Sequence, residues 1–195
     1  MTTLQTTRRT WTYVDYLQLE DSPRYEVMNG ELHSVPAPDL IHQRVVRNIS
    51  VSLWDFVRNH RCGEVFWSPI DVVLGDKQTT VVQPDVVYVA AGNTSRLLRR
   101  RGVFGAPDLV IEVLSPATGE RDRVHKLALY ESAGVREYWL LDPAKQRGDV
   151  YCLQTPGPTR KFKRGARAVL KSESESELQS RILPGWSVDL QNLFG

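Results

Sequence analysis

Glu112 sits in the segment Leu109-Val110-Ile111-Glu112-Val113-Leu114, where every neighbour is apolar. A carboxylate in that setting has to be paired or has to hold a cation, because an isolated buried charge costs too much free energy to keep. Asp85 has a similar setting, after Pro84 and before Val86-Val87-Tyr88-Val89. Proline cannot donate to a ladder and suits a strand start, so Asp85 is expected where a strand begins. Two acidic oxygens from neighbouring strands, completed by backbone carbonyls and water, make the hard octahedral environment that magnesium prefers. Such an ion acidifies a bound water and neutralises charge developing on a phosphate, the two demands of phosphodiester hydrolysis. A lysine nearby would stabilise the same charge or orient the water, and Lys126 is the candidate. Its competing role is a helix-surface pair with Asp122 at i,i+4, worth about 0.3–0.5 kcal/mol and without chemistry.

The elements that must hold these groups follow from pattern. Tyr25 to Met28 and Glu31 to Val35 flank Asn29-Gly30, which predicts an opening β-hairpin. Asp39 can cap a long amphipathic helix with Ile41, Val45, Ile49, Leu53, Phe56 and Val57 at helical spacing, ended by Gly63. Strands are expected over 65–67, 70–74 and 81–89, then an exposed helix or loop over the arginine-rich stretch 93–106. The run 109–114 reads as a central strand, 121–133 as a helix ended by Gly134, and Tyr138 to Leu141 as another strand, an order that implies a parallel crossover. Beyond Val150 the pattern weakens to short hairpin strands, with Ser172 to Glu177 as a solvated loop and Trp186 and Leu190 folding back over the sheet.

A chain of 195 residues with 41% hydrophobic residues can bury one core, so a single domain over 1–195 is expected, with residues 1–14 as an N-terminal arm. The N-terminus has no apolar stretch behind its arginines, no segment approaches the roughly 18 apolar residues of a membrane span, and the two cysteines, Cys62 and Cys152, suit reduced thiols. A soluble cytoplasmic protein is the expectation. The net charge of +2 is uninformative, but Arg96, Arg99, Arg100 and Arg101 form one basic cluster, and Arg160, Lys161, Lys163, Arg164 and Arg167 another. Either could neutralise phosphates, and either could be a solvated face.

As an ordered set, Gln83-Pro84-Asp85-Val86, the stretch Pro107 to Pro116, Asp122 with Lys126-Leu127 and Tyr130, and Gly134 to Pro143 closely resemble the Uma-type restriction endonucleases. Tyr25-Glu26, Asn29-Gly30-Glu31-Leu32 and His42-Gln43 fit the same pattern, which covers roughly residues 15–155. The resemblance implies an α/β, restriction-endonuclease-like PD-(D/E)XK core, a mixed central sheet flanked by helices. It implies a divalent-metal-dependent DNA endonuclease using Mg2+ or Mn2+, with Asp85 and Glu112 as the two acids and the Val113 carbonyl as a further metal contact. The superfamily places its lysine two residues after the second acid, where this chain has Leu114, and Lys126 matches the lysine of the family's Asp-x-x-x-Lys stretch.

Glu26 and Gln43 are supporting candidates by the same pattern, against the plainer roles of a hairpin charge and a solvent-facing polar residue. Asp108 shares the face of Glu112 but lies about 13 Å along the strand at ~3.3 Å per residue, so it is assigned to the turn after Pro107. His33, His42, His60 and His125 lack ligand spacing and are read as structural or surface residues, and Tyr130, Tyr138 and Trp139 as core or interface aromatics. The rival function is a catalytically weakened nucleic-acid-binding or partner-binding protein on this fold, and no separate recognition domain is visible, so a homodimer stays open.

Overall fold

The computed structural model describes residues 9–20, 23–115, 119–153, 162–169 and 176–195, without the side chains of 119–123 and 162–169. Helix α1 (Tyr13–Tyr16) starts on a capping box between Thr12 and Asp15, and it buries Tyr13, so part of the expected arm is packed. Strands β1 (Arg24–Met28) and β2 (Glu31–Val35) form the expected hairpin from Arg24↔Val35 to Met28↔Glu31. Asn29 and Gly30 take φ angles of 51° and 83°, the pair of positive angles that a two-residue turn requires.

Helix α2 (Leu40–His60) begins on Asp39, whose carboxylate accepts the His42 amide at 2.8 Å. It ends on Arg61 in the left-handed region rather than on Gly63. Gly63 instead opens β3 (Gly63–Trp67), because a Cβ there would stand 2.2 Å from the Val89 carbonyl oxygen. After β4 (Asp71–Leu74), the apolar run 81–89 does not form one strand. Gln83-Pro84-Asp85 divides it into β5 (Thr80–Val82) and β6 (Val86–Ala90), which belong to different sheets. The stretch expected as helix or loop is both a short helix α3 (Thr94–Leu97) and a hairpin of β7 (Leu98–Arg99) with β8 (Gly102–Phe104).

Strand β9 (Leu109–Val113), helix α4 (Gly119–Ala133) and strand β10 (Glu137–Asp142) make the expected crossover, with β9 and β10 parallel and Leu140 beside Glu112. The chain continues through β11 (Arg147–Leu153), β12 (Phe162–Val169), β13 (Glu177–Gln179), β14 (Ser187–Asp189) and α5 (Leu190–Phe194). The mixed central sheet has the order β12-β11-β10-β9-β6-β3, and a second sheet has the order β2-β1-β5-β4-β8-β7.

Alternation along the strands sends side chains to two cores. Val65, Val86, Ile111, Val113 and Trp139 pack under the α2 stripe Val45, Ile49, Leu53 and Val57, with the C-terminal return joining through Trp186 and Leu190. Trp186 stacks on Trp139 at 4.7 Å between centroids. Val87, Val110, Tyr138 and Leu140 pack on the other side with Leu129, Tyr130 and Val135 around α4, and with Val72, Val82 and Val103 of the second sheet. The basic residues at 160 and 161 lie outside the described residues, as do Ser172 to Glu175, while Lys163, Arg164 and Arg167 lie on β12.

Candidate active site

The pairing of β6 with β9 runs to Val86↔Ile111, and the same register carried one residue further sets Asp85 against Glu112. Both then share the face of Val87 and Val110, and both line one cleft of roughly 840 Å³ together with Val113 and Lys126. The cleft is walled by the hairpin of β1 and β2, by α2 from His42 to Trp54 and by the ends of β6 and β9. Glu112 is buried, with a relative exposure of 7%.

Each acid is held by groups from elsewhere in the chain. One Asp85 oxygen accepts the Val113 amide at 2.7 Å and lies 3.3 Å from His42 Nε2, so β9 and α2 fix it together. Glu112 accepts the Tyr130 hydroxyl at 2.6 Å and the Lys126 ammonium at 3.0 Å. The same ammonium reaches Glu26 at 3.1 Å, and Glu26 also accepts the Gln83 amide at 2.8 Å. Lys126 and Tyr130 are four residues apart on α4, so one helix face delivers both to Glu112.

The cluster carries more negative than positive charge, with Glu26, Asp85 and Glu112 around Lys126. Burial pushes Glu112 up to about 7, and the charges of Asp85 and Glu26 act in the same direction, against the lowering by Lys126 and Tyr130. Burial alone would lower Lys126, but the carboxylates of Glu112 and Glu26 outweigh it and hold the ammonium above its ordinary value. Burial likewise opposes the charge on His42, and hydrogen bonding and attraction to Asp85 reverse the sign, leaving the imidazole raised. Burial, followed by the charge of Glu112, keeps Tyr130 protonated well above the ordinary tyrosine range. The site therefore has oxygen donors in excess, one fixed ammonium and one imidazole.

Among the sequence candidates, Asp85, Glu112, Val113, Lys126, Glu26 and Gln43 all line the cleft. Arg96, Arg99, Arg100 and Arg101 are exposed, but Arg96 lies on α3 and the other three at β7 and its turn, the edge of the second sheet opposite β2, and none lines the cleft. Arg101 lines a separate hollow with Tyr16, Asp71 and Gln83. Asp108 orders its turn, accepting the Ala90 amide at 2.8 Å and pairing with Arg136 at 3.1 Å. His42 and Tyr130 are the residues that pattern reading missed. The signals for them are their places in the family pattern, the Asp39 cap, which fixes the first turn of α2, and the four-residue spacing of Tyr130 from Lys126.

This mixed sheet, with β9 and β10 joined through α4 and β6 antiparallel on the other side of β9, is a restriction-endonuclease-like α/β fold. The family model for Uma2, described as "Putative restriction endonuclease", matches residues 13–191, and the chain belongs to that family. Among solved structures it is similar to a "putative nuclease belonging to DUF820" from Anabaena variabilis ATCC 29413. That match has a TM-score of 0.74 and 18% identity, and it covers 94% of this chain and 97% of the other. No curated protein matches the sequence. Among the described residues, no helix is long and apolar enough to cross a membrane.

Proposed function

We propose that this chain is a divalent-metal-dependent DNA endonuclease, hydrolysing phosphodiester bonds in the cleft between Asp85 and Glu112. The observation that carries the reading is the position of Lys126, whose largely buried ammonium lies 3.0 Å from Glu112 and 3.1 Å from Glu26. A lysine on α4 thus stands beside the second acid, where Leu114, just past β9, cannot serve. Family membership supports a nuclease-like function.

The donor set fits a small hard cation. Asp85, Glu112 and the Val113 carbonyl offer oxygen, and a dication would offset the burial that raises Glu112 and the added repulsion from Asp85 and Glu26. No group of three or more His, Cys, Asp or Glu side chains among the described residues is arranged to hold an ion. Magnesium needs only one or two carboxylates, with waters filling its other positions. When bound, the ion supplies an acidified water and neutralises phosphate charge.

The protein's own groups divide the remaining work. The Val113 amide and His42 hold Asp85 in place, and the Tyr130 hydroxyl holds Glu112. Glu26 anchors Lys126 from the opposite wall, so the ammonium can stabilise a phosphate oxygen as charge builds there. Gln43, exposed on the α2 wall, is positioned to contact substrate. Arg96, Arg99, Arg100 and Arg101 extend the phosphate-binding surface beyond the cleft. The test is incubation of purified protein with supercoiled plasmid and with single-stranded DNA under Mg2+, Mn2+ or EDTA. Cleavage of DNA in the two metals and none in EDTA is expected, and both DNAs left intact in all three conditions would overturn the proposal.

A further inference from the structure

Beyond Gln43, the α2 wall of the cleft carries residues that hydrolysis of a phosphodiester does not use. Gln43, Arg47, Val51 and Trp54 follow one another at helical spacing and all line the cleft, beside the buried stripe Val45, Ile49, Leu53 and Val57. Trp54 and Val51 are exposed, at 41% and 60%. The Arg58 guanidinium lies 4.9 Å from the Trp54 ring centroid, which adds a cation to the aromatic surface. Across the cleft, Trp67 ends β3 with 52% exposure, opposite Val86 in the ladder and thus next to Asp85. The residue after it, Ser68, donates its amide to the Asp85 carbonyl at 2.9 Å and accepts Arg24 at 3.2 Å.

Exposed tryptophans interleaved with arginines are an unfavourable surface for water and a good one for a ligand that has both a flat apolar face and a negative backbone. Unpaired nucleotides have both, whereas a B-form duplex keeps its base faces stacked inside. The scale agrees, since 840 Å³ is the size of a pocket for a small ligand rather than of a trough for a duplex. From Gln43 to Trp54 the helix runs about 16 Å at 1.5 Å per residue, long enough to face a short run of unpaired nucleotides. We infer that the cleft binds single-stranded DNA, with Trp54 and Trp67 stacking on unpaired bases and Arg24 and Arg47 meeting the phosphates. This inference rests on the nuclease reading and names its substrate form.

Binding is measured in EDTA, so that no cleavage intervenes, by anisotropy of labelled oligo(dT), the same strand annealed to oligo(dA), and oligo(rU). Oligo(dT) should bind at least about ten-fold tighter than the duplex. Trp54→Ala and Trp67→Ala should each weaken it by about 5- to 100-fold, the range for loss of one stacked base. Trp54→Phe and Trp67→Phe should retain most of the affinity, because phenylalanine keeps a ring face. Duplex binding as tight as oligo(dT), a preference for oligo(rU), or alanine variants with unchanged affinity would overturn the inference. So would a wild-type dimer on gel filtration that the alanine variants dissolve without losing oligo(dT), since the tryptophans would then serve a second copy of the chain. Failure of the nuclease reading looks different: oligo(dT) still binds through the tryptophans, but neither oligo(dT) nor plasmid is cut in Mg2+ or Mn2+.

Discussion

Lys126→Met separates the two roles that Lys126 could play, because they differ about ten-fold in energy. The lysine side chain is 16% exposed and makes two short contacts, to Glu112 at 3.0 Å and Glu26 at 3.1 Å. Removing one member of a buried ion pair leaves its partners uncompensated and costs about 3–5 kcal/mol. A surface pair along α4 would cost only about 0.3–0.5 kcal/mol. Urea unfolding at pH 8, with the midpoint and slope both fitted, reads the difference directly. The folded ammonium is raised above its ordinary value, so its contribution is present at neutral pH and lost only in strong base. On the acid side the loss should shrink as Glu112 takes its proton below about 7. Adding Glu112→Gln to Lys126→Met should restore part of the stability, giving a coupling of about 1–3 kcal/mol between the two sites. A loss below about 0.5 kcal/mol at pH 8, or additive single and double changes, would refute the buried pairing.

Relative to wild type, Glu112→Gln should gain stability as the pH rises through about 7, since burial raises the Glu112 carboxyl and penalises its ionised form in the folded state. The gain should disappear below pH 4.5, and a pH-independent difference would contradict the shift. Replacing Arg96, Arg99, Arg100 and Arg101 by glutamine should lower the salt dependence of duplex binding by about 0.9 in slope per lost phosphate contact. An unchanged slope would make the cluster a solvated face. Gly63→Ala should cost about 1–3 kcal/mol, because the new methyl would press on the Val89 carbonyl, and a neutral thermal melt would show that β3 and β6 can separate there.

Much of this arrangement is legible in the residues themselves. The Asp39 cap and apolar stripe define α2, Asn29-Gly30 defines the hairpin, and acids embedded in apolar strands mark Asp85 and Glu112. What escapes is tertiary. Thr80 to Val82 and Val86 to Ala90 have the same apolar character, and nothing local states that Pro84 sends them to different sheets. Gly63 reads as a helix stop, whereas the backbone of β6 passing close beside it is what demands glycine. His42 has no ligand spacing, and its place beside Asp85 comes from how α2 crosses the ends of β6 and β9. Tyr130 reads as a core aromatic and is buried as one, but its hydroxyl finds the buried carboxylate of Glu112. Lys126 looks equally at home on a helix surface until α4 is laid against the sheet.

The claim that Asp85 and Glu112 form a hydrolytic metal site is tested most directly by plasmid cleavage with wild-type protein and Glu112→Gln, purified in parallel and assayed in Mg2+. The amide keeps the shape of the side chain and removes the charge that would hold the ion, so folding should persist while cleavage falls to the level seen in EDTA. Wild-type activity with undiminished cleavage by the folded variant would remove Glu112 from the chemistry and contradict the account.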